Sequence, residues 1–107
     1  MIRINEDNIY RTLIELFGNN KQLDKVVEEL LELALAITHY RDNKIALPAL
    51  ITEITDVNIV LPQLILILAN TTEQNIEKLI AYEKNNKIER ILQVIKKAKE
   101  KKKRKRL

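Results

Sequence analysis

The chain has no cysteine and no tryptophan, one glycine (Gly18), two prolines (Pro48 and Pro62) and one histidine (His39) in 107 residues. Without cysteine there is neither a disulfide framework nor a thiolate metal site. The scarcity of glycine and proline removes the turn punctuation that a β-sandwich needs. Aromatic residues make up only 4% of a chain that is 46% hydrophobic, so Leu, Ile, Val and Ala are the packing material. The most apolar stretch, residues 57–69, is interrupted by Asn58, Pro62 and Gln63 and falls short of the ~20 residues of a membrane span. Residues 1–7 lack the apolar run of a signal peptide, so the cytoplasm is the expected location.

What is present favours long helices joined by short loops, in one domain. A single helical layer of this length has difficulty hiding so many branched aliphatic residues. The core is therefore expected to be completed across a subunit interface. The net charge of +4 conceals two opposite parts. Residues 96–107 hold nine Lys and Arg against Glu100, a charge of +8, while the preceding 95 residues carry −4. The basic end is read as a tail, residues 100–107, that frays into disorder beyond about Lys99. The overall charge thus says little about what the acidic body binds.

Hydrophobic spacing gives an all-α chain of four main helices. The first starts near Glu6 or Asp7, carries Ile9, Leu13, Ile14 and Phe17 on one face, and stops at Gly18-Asn19-Asn20. The second runs from about Lys21 to Tyr40. Its apolar residues cover more than half the circumference and call for two flanking neighbours. The third starts near Leu47-Pro48, where proline suits a first turn, and continues to about Ala69. Pro62 is expected to kink or break it. Thr72 is the expected N-cap of a fourth helix, which Asn85-Asn86 weakens without ending.

Acidic residues occupy positions where the pattern wants apolar ones. Glu29 and Glu32 are three apart on the second helix and project from one face, framed by Leu33 and Ala36 four and seven residues after Glu29. Glu28 lies beside them. Glu53 and Asp56 repeat the spacing on the third helix, framed by Val57 and Val60 at the same offsets. A solvated face is the ordinary meaning of one such pair; two with matching apolar framing point inward. Like charges on a partly buried face repel and lose hydration, so a cation is needed among them. An all-oxygen ligand set suits Mg²⁺ or Mn²⁺, which several carboxylates share with substrate phosphates.

Downstream, Lys87 and Arg90 share one face of the last helix and can bind phosphate oxygens; a surface ion pair with Glu83 or Glu89 is the plainer alternative. His39 ends the second helix about 15 Å along the axis from Glu29, where it compensates the helix dipole.

Together these segments resemble the MazG-like all-α nucleoside triphosphate pyrophosphohydrolases. Residues 22–33, with Glu28-Glu29-x-x-Glu32-Leu33, are similar to the Glu-Glu-x-x-Glu-Leu helix of that family. Glu53-Ile54-Thr55-Asp56 resembles its Glu-x-x-Asp motif after a 20-residue gap, and Lys87-Ile88-Glu89-Arg90 its Lys-x-x-Arg element. The short length looks like the single-domain members of bacteriophages and bacteria. The resemblance spans roughly residues 22–95. It implies an antiparallel helical bundle completed across a dimer or tetramer interface, with Mg²⁺ held by Glu29, Glu32, Glu53 and Asp56. It assigns Glu28 as ligand support or base, joining Glu29 as a catalytic group, and Lys87 and Arg90 to the phosphates. The implied reaction converts an NTP or dNTP to the monophosphate and pyrophosphate. The chain departs from the family in carrying Pro62 within its third helix. It also lacks tryptophan, leaving Tyr10, Phe17, Tyr40 and Tyr82 as the aromatic residues that can meet a base.

Two other functions stay open at this point. The basic tail suits a nucleic-acid-binding module, because such lysines engage phosphate backbones without reading sequence. A catalytically silent protein that binds nucleotide or a partner and regulates it would carry the same motifs.

Overall fold

The computed structural model describes residues 5–106; residues 1–4, part of the segment read above for a signal peptide, and residue 107 lie outside them. The described residues form four α-helices and no strand: α1 (Glu6–Phe17), α2 (Asn19–Arg41), α3 (Leu47–Thr72) and α4 (Ile76–Lys105). They divide into two units, one ending at Gln74 and the other beginning at Asn75.

In the first unit, α2 packs along α3 and α1 lies against both. Asn5 caps α1 by accepting from the Asn8 N–H at 3.2 Å, and Glu6 and Asp7 in the first turn favour the positive end of the helix dipole. Gly18, at φ +89°, ends α1 with an N–H bond to Ile14 O and lets the chain re-enter a helix one residue later. The seam between α2 and α3 repeats at four and three residues. Gln22, Val26 and Ala36 are buried on α2, facing Leu50, Val57, Val60, Gln63 and Ile67 on α3. Tyr10 and Ile14 of α1 close this core.

Three sequence expectations differ from the structure. First, α3 runs without interruption through Pro62. A proline in a helix removes one N–H and disturbs the carbonyls of the preceding turn. The next residue, Gln63, bonds back along the helix, donating from Nε2 to Ile59 O at 3.2 Å. Gln63 Oε1 then accepts from Gln22 Nε2 at 2.7 Å, which ties α2 to α3. At 1% exposure Gln63 is the most deeply buried side chain among the described residues, so the pairing of its polar atoms is obligatory.

Second, Thr72 does not cap α4. Its hydroxyl donates to Leu68 O, and Thr72 is the last residue of α3, followed by Glu73 as a C-cap in the left-handed conformation (φ 57°). Asn75 is the cap, its side chain accepting from Lys78 N at 3.1 Å. Asparagine is the stronger capping residue of the two. Third, α4 continues past Lys99 to Lys105 rather than fraying at the basic run. Lys and Arg are good helix formers, and cations in the last turn complement the negative end of the dipole.

Burial is incomplete. Val27, Leu30, Leu31, Leu35 and Ile37 of α2 remain exposed, as do Leu79, Ile80, Ile88, Ile91, Leu92 and Ile95 of α4, which buries none of its own side chains. The length of α3 and its mean hydropathy of 1.6 over the most apolar window come within the range of a membrane span. Core helices of soluble proteins reach the same values.

Candidate metal centre

The α2–α3 seam carries its acidic residues at positions equivalent to buried apolar ones. Glu29 falls three residues after Val26, and Glu53 four residues before Val57. Antiparallel packing therefore sets Glu29 against Asp56 and Glu53. One carboxylate oxygen from each of Glu29, Glu53 and Asp56 lies within 4.8 Å of the others, on residues that are all partly buried. Glu29 Oε2 and Glu53 Oε2 are fully enclosed and have no hydrogen-bond partner. Enclosed carboxylate oxygens without a partner are costly unless protonated or bound to a cation.

Electrostatics agree. The Glu29 carboxyl is pushed above the ordinary glutamate range, first by burial, then by the negative charges of Glu32 and Asp56, with smaller contributions from hydrogen bonding with Glu32 and from Glu28. Glu53 is raised for the same reasons in the same order, without Glu28. Close like charges and desolvation both oppose ionisation. A divalent cation reverses both effects, because it needs the ionised form.

The expected ligands thus separate into two groups. Glu29, Glu53 and Asp56 converge. Glu32 is exposed but close enough for its charge to act on both Glu29 and Glu53. Glu28 is also exposed and faces Lys25, with Nζ 3.7 Å from Oε2. Lys87 and Arg90 lie on α4, in the second unit. Lys87 shares a shallow apolar face with Ile80, Ile88 and Ile91, while Arg90 sits with Asn86, Glu89 and Gln93. His39 closes the last turn of α2, as expected for dipole compensation.

The sequence reading missed a cleft of about 400 Å³ on the first unit. It is lined by Phe17 of α1, Lys21, Gln22 and Lys25 of α2, and Ile59 and Gln63 of α3, among others. Lys21 Nζ stands 5.2 Å from the centre of the Phe17 ring, in cation–π range. Of the aromatic side chains considered for a base, Tyr10 is buried in the core and Tyr40 and Tyr82 are exposed; Phe17 alone of the four lines this cleft.

The chain matches no family model, no curated protein and no solved structure. Its likeness to the MazG-like enzymes rests on the motifs quoted above.

Proposed function

We propose that this chain is a Mg²⁺-dependent nucleoside triphosphate pyrophosphohydrolase, with Mn²⁺ as a substitute ion. One observation carries the reading: Glu29, Glu53 and Asp56 bring oxygens within 4.8 Å of one another, two of these side chains each keeping an enclosed oxygen with no partner. That donor set fits a hard divalent cation. With Glu32 beside it, the set becomes the four ligands that the motifs imply.

When bound, Mg²⁺ would shield phosphate charge and lower the pKa of a coordinated water. The chain's own groups do the rest. Glu28, held one turn from Glu32 and outside the converging trio, takes the proton from the attacking water. The bond between the α-phosphate and pyrophosphate breaks, and its electron pair leaves with pyrophosphate. The motif resemblance assigns Lys87 and Arg90 to phosphate binding, the guanidinium through two parallel hydrogen bonds. The exposed aliphatic residues of α2 support a homo-oligomer, dimer or tetramer, and the reading places the protein in the cytoplasm.

The test is pyrophosphate release from a panel of NTPs and dNTPs, modified ones included, with Mg²⁺. Glu53→Gln is expected to lower turnover about 100-fold or more, since even outer-shell partners of metal ligands cost about 10–100-fold. No turnover of any nucleotide by the wild type would remove the enzymatic reading and leave a silent nucleotide- or partner-binding protein in its place.

A further inference from the structure

The aliphatic stripe on α4 reads the same in both directions. Ile76, Ile80, Lys84, Lys87, Ile91 and Ile95 follow one another at intervals of four, four, three, four and four residues. That spacing keeps all six within about 100° of the helix circumference, on one continuous face. Leu79 and Leu92 flank the stripe at mirrored positions, and the midpoint falls between Asn85 and Asn86. Leu79, Ile80, Ile91, Leu92 and Ile95 are between 43% and 58% exposed, and α4 buries none of its own side chains. A helix of 30 residues with an aliphatic face this bare lacks the packing that normally holds such a helix.

The order of the residues says what covers the face. Two copies related by a two-fold axis, with these helices antiparallel, bring each residue against its mirror position. Their shared surface must therefore read alike from either end. Reversal about Asn85 and Asn86 sets Ile76 against the partner's Ile95 and Ile80 against the partner's Ile91. Lys84 and Lys87 fill the two central layers with their stems and carry their ammonium groups out to the edge. Charge favours the same arrangement. Glu83, at the edge of the stripe, comes within a turn of the partner's Lys87, and Glu77 leans toward the partner's Lys99. The axis repeats both pairs. A parallel arrangement would instead lay residues 96–106, with nine Lys and Arg and one Glu, beside their own copy.

We infer that α4 is a two-fold interface of this protein, packed antiparallel against α4 of a second copy through Ile76, Ile80, Ile91 and Ile95. The inference rests on the homo-oligomer part of the proposed function, for which the exposed face of α2 is the rival surface, and it needs no nucleotide hydrolysis. It sends the two basic segments to opposite ends of the pair, with residue 101 of one copy about 45 Å along the axis from that of the other.

The chain has no cysteine, so introduced cysteines report the arrangement without background. Full-length Ile80→Cys and Ile91→Cys proteins are mixed under reducing conditions to exchange subunits, then oxidised. The mixture is expected to form a disulfide-linked dimer, and neither variant alone. Two copies of residue 80 stand about 16 Å apart along the axis in this packing, and a disulfide spans at most about 7 Å between Cα atoms. In parallel, Ile80→Glu/Ile91→Glu is expected to halve the mass that light scattering gives for the wild type. Should the glutamates unwind α4, the milder cysteine variants still decide. Cross-linking by either cysteine variant alone as readily as by the mixture overturns the antiparallel interface. A mass that falls with Leu31→Glu on α2 but not with the α4 glutamates moves the contact to α2 and spares the homo-oligomer. A monomeric wild type removes both and leaves the α4 face to a different protein.

Discussion

At the scale of single residues, the raised carboxyls make stability a reporter of the metal centre. Glu29 and Glu53 hold their protons more tightly in the fold than in the unfolded chain. Between the ordinary glutamate range, about 4.3, and their raised values, the native state therefore binds more protons. The stability they contribute is full below that range and is lost as pH rises through the raised values. The metal-free protein should thus melt progressively lower as pH climbs from about 4.3 toward neutrality. Glu29→Gln and Glu53→Gln should flatten that slope. Adding Mg²⁺ near neutral pH should raise the melting temperature of the wild type and leave Glu53→Gln where it was. A wild-type melting temperature indifferent to both pH and Mg²⁺ would count against a cation at this place. The acidic motifs were legible because carboxylates at apolar positions break a pattern. Gln22 and Gln63 break it less audibly, since one uncharged amide on a seam looks like any surface residue until its partner is known.

At the scale of elements, boundaries followed local chemistry that the sequence offered in more than one copy. Thr72 and Asn75 are both competent caps, and only the left-handed turn at Glu73 decides for Asn75. The break expected at Pro62, where a kink was the alternative, does not occur: α3 continues through it, and the next side chain, Gln63, is held from α2. That arrangement has a measurable signature. Gln63→Ala strips Gln22 of its buried partner and should cost about 1–3 kcal/mol in denaturant unfolding, whereas Gln22→Leu/Gln63→Leu should cost less than that single change. Equal losses would mean that the amides contribute only volume.

At the scale of the whole molecule, the composition told of aliphatic surface without an owner, and the structure locates it on α2 and α4. Light scattering should give a mass of two or four chains; a monomer at micromolar concentration would contradict the homo-oligomer. The position of the basic run was plain in the sequence, but not its helical form to Lys105, because charge repulsion and helix propensity oppose each other there. Deleting residues 97–107 should leave nucleotide hydrolysis intact and abolish any salt-sensitive retention on DNA or RNA. If hydrolysis disappears with the deletion, the segment is part of the enzyme rather than an appendage.

The bond between Gln22 and Gln63 also works as a ruler. A slide of α2 along α3 by one turn would strand both amides in the apolar seam and carry Glu29 past Asp56. The amide pair thus ends up calibrating a distant trio of acids: the Ile59 carbonyl orients Gln63, Gln63 orients Gln22, and the pair indexes two helices. Loosening that gauge should blunt the discrimination between Mg²⁺ and larger ions before it unfolds anything.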